Sequence, residues 1–309
     1  MGIANLSIVL AYGKKTIDTL ESTKNQRKTA RLLRLTFDQV HGVMLRAVER
    51  GLKRRDKDKV YEHICLDEKS IRRGHEFVSI MYDGDTGTVI DLAADRKDKS
   101  VENLCTTALS EEQRSNVKTV CTDMWDPFIK GARKYFPNAT HCHDLYHCVT
   151  YLNEAVDKVR KREVRNCAPL RKTKYIWLKD QSRYSQHDWD RFRKLEEMDY
   201  QVSQAWKIKE VFRDLIRLDY YGDMDAYCML AEWMNDALSY NIDEINAVVF
   251  MFKRHLKGII RALVTGANNG RAERMNGSIQ EIKTIGRGYG NAERYRTAIL
   301  FFYGGLDKS

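Results

Sequence analysis

Val60-Tyr-Glu-His-Ile-Cys-Leu-Asp67 opens the part of the chain that decides the fold. Apolar and β-branched residues lead up to Asp67, which predicts a strand that ends on a carboxylate. A basic turn follows, and residues 77–82 and 88–93 predict two further strands. Asp83-Gly-Asp-Thr-Gly87 between them is a strong turn signal. The stretch therefore predicts a three-stranded antiparallel meander.

Two later β-branched runs also end on aspartates. Residues 116–123 end at Asp123, and residues 138–144 end at Asp144. We predict helices over 101–110 and 126–135, one before each of the last two strands. Three antiparallel strands followed by helix, strand, helix and strand is the order of a ribonuclease-H-like α/β fold with a mixed sheet. In that fold the first and fourth strands are neighbours at the centre of the sheet.

The stretch before the meander has the pattern of a helix-turn-helix. Residues 25–33 and 37–50 predict two helices around a short turn, with Thr36 as the second N-cap and Gly51 as the end. In a helix-turn-helix the second helix enters the DNA major groove. It would present Gln39, His41 and Arg46 to DNA. An ordinary helical hairpin is the alternative.

The second half of the chain is predicted to be helical. Apolar residues keep helical spacing from 145 to 263, and after a break at 265–270 a helix at 271–284 carries Glu273. We therefore predict a helix-turn-helix region and linker over 1–58, a first part of the ribonuclease-H-like core over 59–144, a large all-helical insertion over 145–265 and a second part of the core over 266–309.

The charge balance favours a polyanionic partner. Lysine and arginine number 53 against 43 acidic residues, which gives a net charge of +10, and nucleic acid is the first expectation. Many soluble proteins are mildly basic, so charge alone is a weak indication. No apolar run reaches the length of a membrane span, and the start lacks the basic region of a signal peptide. The seven scattered cysteines fit free thiols in a cytoplasmic protein.

Three carboxylates stand out by their positions. Asp67 and Asp123 end neighbouring strands, and Glu273 lies in the first turn of a helix that would pack across them. Clustered carboxylates select hard cations such as Mg²⁺ or Mn²⁺. Two such ions about 4 Å apart activate a water or a 3′-hydroxyl and stabilise the leaving oxygen of a phosphodiester. A single aspartate at a strand end is usually a turn or cap residue, so the combination carries the prediction.

Several motifs resemble those of one transposase family. They are Asp67-Glu-Lys-Ser-Ile-Arg-Arg-Gly-His75, Asp83-x-x-Thr-Gly-Thr-Val89, Cys121-Thr-Asp-Met124, Asn138-Ala-Thr-x-x-x-Asp-Leu-Tyr-His147, Asn269-Gly-Arg-Ala-Glu-Arg-Met-Asn276 and Gly288-Tyr-Gly-Asn291. From about residue 25 to the end, the chain resembles the DDE transposases of the ISL-three insertion-sequence family. The resemblance implies that Asp67, Asp123 and Glu273 are the metal-binding catalytic triad, with two Mg²⁺ or Mn²⁺ ions per site. It also implies double-stranded DNA as partner, both element ends and target, and a homo-oligomer on that DNA.

The sequence departs from the family pattern at two places. Family members typically open with a cysteine-rich zinc-binding module, and no such pattern precedes residue 25, so we expect an N-terminally short chain. The glycine that usually follows the catalytic glutamate is Arg274. This replacement would alter helix packing without removing a metal ligand.

Asp144 and His147 are expected near the catalytic carboxylates. In the family pattern they are a structural or DNA-positioning pair rather than metal ligands. The cysteines and histidines between 141 and 148 also suggest a zinc site. Strand alternation argues against it, because it places His141 and His143 on one face and Cys142 on the other.

Other polar residues are candidates for supporting roles. Asn269 and Asn276 flank Glu273, where they would orient it or contact phosphate, or simply form the start of a helix. Arg72 and Arg73 follow Asp67 and are expected to contact the DNA backbone, although single basic residues are more often solvated.

The leading hypothesis is a bacterial, nucleoid-associated DNA transposase that hydrolyses element ends and joins the 3′-hydroxyl to target DNA. Two alternatives remain open. One is a truncated or repurposed DNA-binding relative without transposition activity. The other is a structure-specific nuclease on the same fold, which would not need inverted repeats.

Overall fold

The computed structural model of the 309-residue chain describes residues 2–71, 77–198, 200–267, 270–286 and 291–308, without the side chains of residues 2–11 and 273. Within these ranges the strands are β1 His63–Ser70, β2 Phe77–Asp83, β3 Val89–Ala94, β4 Thr119–Thr122 and β5 Thr140–His143. The helices there are α1 Gly2–Thr23, α2 Gln26–Leu33, α3 Phe37–Arg54, α4 Asp98–Ala108, α5 Glu111–Ser115, α6 Asp126–Tyr135, α7 Leu145–Val164, α8 Lys174–Leu178, α9 Gln186–Glu196, α10 Gln201–Leu215, α11 Asp223–Ser239, α12 Asp243–Arg254, α13 Leu256–Thr265, α14 Gly270–Ile285 and α15 Ala292–Tyr303.

The five strands form one mixed sheet in the order β3-β2-β1-β4-β5. β1 pairs with β2 antiparallel and with β4 parallel, and β2 pairs with β3 antiparallel. Along the chain, a meander is followed by α4, the short α5, β4, α6 and β5. The α/β, ribonuclease-H-like prediction is therefore confirmed, including the neighbouring first and fourth strands.

A core of aliphatic and aromatic side chains lies between one face of the sheet and helices α4 and α6. Its buried members are Tyr61, Ile64, Leu66, Met81, Ile90, Val101, Leu104, Cys105, Leu109, Val117, Val120, Phe128, Ala132 and Phe136. Gly131 of α6 allows the close approach of α4, since a Cβ there would lie 2.6 Å from Val101 Cγ1. Because Ile64, Leu66 and Val120 point into this core, strand alternation turns Cys65 and Asp67 to the opposite face.

The predicted end of the first strand at Asp67 is wrong. β1 continues to Ser70, and Asp67 to Ser70 pair with Ile80 to Phe77 of β2. On its other side β1 pairs with β4 only as far as Leu66, opposite Thr122. The strand extends further because antiparallel pairing with β2 still satisfies its backbone where β4 has ended. Asp67 is thus the first residue of β1 beyond the end of β4.

The helix of residues 37–50 begins as predicted but does not end at Gly51. Thr36 Oγ1 accepts from Gln39 N at 3.2 Å and Gln39 Oε1 accepts from Thr36 N at 2.8 Å, which is a capping box. α3 runs on to Arg54. Gly51 instead permits a close contact, since a Cβ there would lie 2.6 Å from Leu306 Cβ. Gly51 therefore allows α3 to pack closely against the residues near the C-terminus, and it does not end the helix.

The chain divides into two compact units, Met1–His141 with Asn269–Ser309 and Cys142–Asn268. The second unit is helical after the end of β5 and contains α7 to α13. Its aromatic core includes Trp177, Phe192 and Trp206, with ring centroids of Phe192 and Trp206 4.3 Å apart. In the parts of the chain that the structure describes, every helix is too short or too polar to cross a membrane.

Candidate active site

Asp67 and Asp123 lie side by side at the point where β4 ends. The parallel register pairs Cys65 with Cys121 and Leu66 with Thr122. Asp67 and Asp123 are therefore the next residues along the two neighbouring segments. Their exposed fractions are only 6% and 8%. Burying two neighbouring carboxylates is costly unless polar partners compensate. The partners of these two carboxylates therefore decide what the site does.

Asn276 of α14 is a partner of Asp67. Its Nδ2 donates to Asp67 Oδ2 at 2.5 Å, and its Oδ1 accepts from the Tyr82 hydroxyl at 2.5 Å. The other carboxylate oxygen, Oδ1, accepts from the backbone N–H of Glu68 at 2.7 Å. A hydrogen-bonded chain thus runs from Tyr82 on β2 through Asn276 to Asp67 on β1.

Tyr82 fixes the orientation of the Asn276 amide. The pKa of Tyr82 is raised well above its usual range, mainly by burial and also by the nearby Asp67 carboxylate. The hydroxyl therefore stays protonated and donates to Asn276 Oδ1, which leaves Nδ2 to donate to Asp67 Oδ2.

Helix α14 is held against the meander along its length. At its start, a Cβ on Gly87, which has φ +77°, would lie 3.2 Å from Arg271 Cβ. Towards its end, Lys283 Nζ donates to Ser70 O at 2.8 Å, and Asn25 Nδ2 donates to Ile285 O at 2.9 Å. α14 therefore follows β1 from the β2–β3 turn to Ser70.

Glu273 lies in the first turn of α14, and its side chain is outside the described parts of the structure. Position 273 precedes Asn276 by three residues in the same helix. Positions three apart share a helix face. The backbone therefore brings position 273 to the same side of α14 as the residue that contacts Asp67.

The loop after β4 holds Asp123. Asp123 Oδ1 accepts from the backbone N–H of Trp125 at 3.0 Å. The Thr122 hydroxyl donates to Asp123 O at 2.7 Å and lies 2.9 Å from His141 Nε2. These bonds fix the chain at the end of β4, directly before α6.

An ion pair and two aromatic rings lie on the sheet face opposite the Asp67 carboxylate, because strand alternation turns Glu68 to the core face. Glu68 follows Asp67, and both of its oxygens contact Arg96 Nη1, at 3.0 and 2.8 Å. The Arg96 guanidinium lies 4.3 Å from the ring centroid of Phe77 and 4.5 Å from that of Trp125. Both distances are in the range of a cation–π contact.

Asp144 and His147 lie in the second compact unit. Asp144 is the N-cap of α7, is buried, and accepts from Tyr146 N at 2.9 Å. Its Oδ2 is 3.8 Å from His147 Nε2, one helical turn further on. In the same unit, the rings of His143 and His255 meet edge to face with centroids 5.0 Å apart. Asp144 thus has a capping role that its sequence position alone did not reveal.

The residues predicted to contact DNA fall into three groups. Gln39 closes the capping box of α3, whereas Arg46 is exposed on the same helix. His41 is half-buried. Its pKa is lowered mainly by burial and also by the positive charge of Arg294. Arg72, Arg73 and Asn269 lie outside the described residues.

A cationic cleft lies between α2 and the end of α14. It has a volume of about 440 Å³ and is lined by Asn25, Arg27, Lys28, Arg31, Ile285 and Gly286. The three basic residues are exposed, and α2 contains no acidic residue. A row of cations on a helix without acidic residues suits an anionic ligand.

No group of three His, Cys, Asp or Glu side chains in the described residues is close enough to hold a metal ion. Of the three predicted ligands, Asp67 and Asp123 are described and each offers carboxylate oxygens. The side chain of the third, Glu273, lies outside the described parts of the structure.

Three residues in these contacts were not predicted from the sequence. Tyr82 was assigned only to a strand, although a tyrosine in a buried strand needs a partner for its hydroxyl. Arg96 and Trp125 join Glu68 in a cluster that no sequence spacing indicates. Asn276 was predicted to orient Glu273 or to contact phosphate; in the structure it hydrogen-bonds Asp67.

Comparisons with known proteins place the chain among transposases. The family model DDE_Tnp_ISL3, described as a transposase, matches residues 64–299. The chain is 23% identical over 302 residues to the transposase for insertion sequence element IS1557 of Mycobacterium tuberculosis, covering 89% of this chain and 67% of that relative. It is 22% identical over 286 residues to the transposase for insertion sequence element IS1001 of Bordetella parapertussis, covering 89% and 69%. Because the family model covers well over half of the chain, from β1 to α15, the protein belongs to the ISL-three family of DDE transposases.

Proposed function

We propose that this protein is an insertion-sequence transposase in which Asp67, Asp123 and Glu273 form the catalytic centre. One observation carries the proposal. Two buried carboxylates directly follow the last pair of residues that joins β1 to β4, and α14, which contains Glu273, is bonded to the first of them through Asn276.

The donor set fits divalent cations. Asp67 and Asp123 offer oxygen ligands, and each ionised oxygen has two lone pairs, so one hydrogen bond leaves room for a metal. We propose Mg²⁺ or Mn²⁺, two ions per site, held by Asp67, Asp123 and Glu273. When bound, the ions supply an activated water or hydroxyl and charge stabilisation for the leaving oxygen.

The proposed reaction has two steps. In the first, a water oxygen attacks the phosphorus at the element end, the P–O3′ bond breaks, and a 3′-hydroxyl and a 5′-phosphate result. In the second, that 3′-oxygen attacks a phosphorus of target DNA and displaces a target 3′-hydroxyl. The first step is a hydrolysis, and in the second one phosphodiester forms for the one broken, so neither step requires an external energy source. Asn276, locked by Tyr82, keeps the Asp67 carboxylate in a fixed orientation through both steps.

Basic side chains would hold the DNA. The net charge of +10 supports binding to double-stranded DNA, element ends and target alike. We assign phosphate contacts to Arg27, Lys28 and Arg31 of the cationic cleft. Arg46, Arg72 and Arg73 are further candidates, whereas Gln39 would have to leave its capping box to reach a base. We expect the protein to act as a homo-oligomer on bacterial nucleoid DNA.

A cleavage and joining assay tests this proposal. The substrate carries the inverted repeats that flank the gene, and wild type is compared with Glu273→Gln in Mg²⁺ or Mn²⁺. We expect metal-dependent 3′-end nicking and joining by the wild type and loss of both in the variant. Full activity of Glu273→Gln would remove Glu273 from the centre. DNA binding by the wild type without cleavage would favour a repurposed DNA-binding relative.

A further inference from the structure

One stretch of the helical unit is acidic in an otherwise basic protein. Residues 218–252 contain seven aspartates and glutamates and no lysine, arginine or histidine. Since the whole chain carries a net charge of +10, the residues outside this stretch carry +17. An acidic surface repels DNA phosphates and attracts basic protein surfaces. The stretch is therefore suited to contact a basic protein surface.

Apolar side chains are exposed among these acidic residues. Four large ones lie within ten residues around the start of α11: Leu218, Tyr221, Met224 and Tyr227. Residues 228, 232 and 236 continue the exposed surface from Met224 at intervals of four, which are neighbouring positions on a helix. The acidic strip is defined as those four apolar residues with the exposed Asp219, Glu232 and Asp236. Exposed apolar side chains with a polar rim mark protein interaction sites, in which tyrosine and methionine are enriched.

Helix α2 has the complementary surface. Its basic residues Arg27, Lys28 and Arg31 are exposed, and it contains no acidic residue. Leu32 is 57% exposed and lies four residues after Lys28, on the same side of the helix. α2 thus presents cations around an apolar side chain, as the acidic strip presents anions around several. Opposite charges around an apolar contact are the arrangement of a specific protein interface.

We propose that the acidic strip of one copy of this protein docks onto α2 of a second copy when DNA is absent. If each copy offers its strip to the α2 of the other, the two contacts are related by a two-fold axis. The inference rests on the proposed function in one respect, since α2 is the assigned phosphate-binding site. Strip and DNA therefore compete for the same cations, and DNA binding separates the pair. Assembly on DNA would use other surfaces.

Sedimentation velocity of the full chain without DNA, over a range of protein concentrations, tests the contact. We expect a dimer at low salt and dissociation in about 1 M salt, where charges are screened beyond about 3 Å. Tyr221→Ser/Met224→Ser removes apolar contact without changing charge and should raise the dissociation constant at least about tenfold. Tyr175→Ser removes an exposed aromatic ring of the same unit outside the strip, and it should dimerise as the wild type does.

Two charge-reversed variants identify the surface that the strip contacts. Asp219→Lys/Glu232→Lys/Asp236→Lys makes the strip cationic, and Arg27→Glu/Lys28→Glu/Arg31→Glu makes α2 anionic. Each variant alone should be monomeric, because its strip and α2 carry like charges. Their mixture should form a heterodimer, because the cationic strip of the first meets the anionic α2 of the second. Thermal unfolding followed by circular dichroism checks that both variants are folded.

DNA competition has its own measurement. A duplex without the inverted repeat should dissociate the wild-type dimer, because phosphates carry no sequence information. At protein concentrations at which the wild type is dimeric, Tyr221→Ser/Met224→Ser should bind that duplex more tightly than the wild type does. The reason is that its α2 is no longer covered.

Three results would overturn the inference. The first is a wild type that stays monomeric at every concentration, as it would if its own α2 or another protein covered the strip. The second is a dimer that persists in the strip variants, or a mixture of the charge-reversed variants that remains monomeric. The third is a dimer that DNA leaves intact. The proposed centre at Asp67, Asp123 and Glu273 is tested separately by cleavage and would survive all three.

Discussion

The Asn276 amide donates a hydrogen bond to the Asp67 carboxylate across 209 residues of sequence, and both side chains are largely buried. The bond joins β1, the first strand along the chain, to α14, which follows the helices α7 to α13 in sequence. It therefore ties the first proposed ligand to the helix that carries the third. The Tyr82 hydroxyl completes the link by holding the amide oxygen.

Replacing Asn276 with alanine should impair both folding and cleavage. The change removes a donor from the buried carboxylate of Asp67, and we expect the free energy of unfolding to fall by about 1–3 kcal/mol. Loss of a residue that orients a metal ligand typically lowers activity about 10- to 100-fold. Urea denaturation and nicking rates at several Mg²⁺ concentrations measure the two effects. Gln280→Ala, an exposed position on the same helix, serves as control and should change neither.

Tyr82 and Asn276 should be energetically coupled. In a double-mutant cycle with Tyr82→Phe and Asn276→Ala, we expect a coupling of about 0.5–3 kcal/mol in the free energy of unfolding, because the two side chains share a buried hydrogen bond. A second cycle with Tyr303→Phe and Asn276→Ala is the matched control, because the Tyr303 hydroxyl donates to Ser278 O at 2.9 Å and not to Asn276. Additive effects of Tyr82→Phe and Asn276→Ala would show that the bond contributes nothing.

Removing the cations of α2 should weaken DNA binding in a salt-dependent way. Each lost phosphate contact lowers the slope of log K against log [salt] by about 0.9, so Arg27→Ala/Lys28→Ala/Arg31→Ala should lower it by up to about 2.7. The effect should be equal on specific and unrelated DNA, because phosphates carry no sequence information. The measurement is fluorescence anisotropy of labelled duplexes over a range of salt concentrations.

The matched control for that experiment is Arg191→Ala/Arg193→Ala/Lys194→Ala on α9. These three residues are also exposed, but acidic residues of α9 precede and follow them in the helix. The control changes the net charge equally and should leave the slope almost unchanged. An equal loss in both triple variants would mean that only net charge matters and that the cleft is not a DNA site.

Lys209 makes the stability of the helical unit depend on pH. It is fully buried, donates to Trp177 O at 2.6 Å and lies 2.8 Å from Glu210 Oε1. Burial lowers its pKa from 10.5 to about 8. Between these values the unfolded chain binds more protons than the folded one, so stability rises with pH.

The size of this effect follows from the two pKa values. From pH 8 to pH 10, the wild type should gain about 2 kcal/mol of unfolding free energy relative to Lys209→Met/Glu210→Gln, which has no titratable group at either position. Urea denaturation followed by circular dichroism at both pH values measures it. A difference between the two proteins that stays constant with pH would refute the lowered pKa.

Much of the fold could be predicted from local patterns in the sequence. Turn residues such as Gly87 and β-branched runs marked the meander, and strand order followed from the alternation of strands and helices. Two boundaries were wrong for tertiary reasons. β1 passes Asp67 because β2 continues to pair with it, and α3 passes Gly51 because that glycine packs against Leu306.

The candidate site was predictable only in part. The prediction of Asp67, Asp123 and Glu273 rests on their combination and on the family resemblance, because a single aspartate near a strand end is usually a turn or cap residue. The contacts around them join residues far apart in sequence, such as Tyr82 with Asn276 and Glu68 with Arg96. Neither periodicity nor spacing encodes such pairs, since they arise only when segments distant in sequence pack together around the sheet.

The most direct test of the account replaces a proposed ligand with a softer one. Asp123→Cys keeps a metal-binding side chain, but a thiolate binds Mg²⁺ poorly and softer ions well. The variant should fail to nick the inverted-repeat duplex in Mg²⁺ and should recover cleavage in Mn²⁺ or Cd²⁺, while Asp126→Cys, an exposed neighbour, cuts normally in Mg²⁺. Cleavage by Asp123→Cys in Mg²⁺ at the wild-type rate would contradict the assignment of Asp123 as a metal ligand, and with it the proposed catalytic centre.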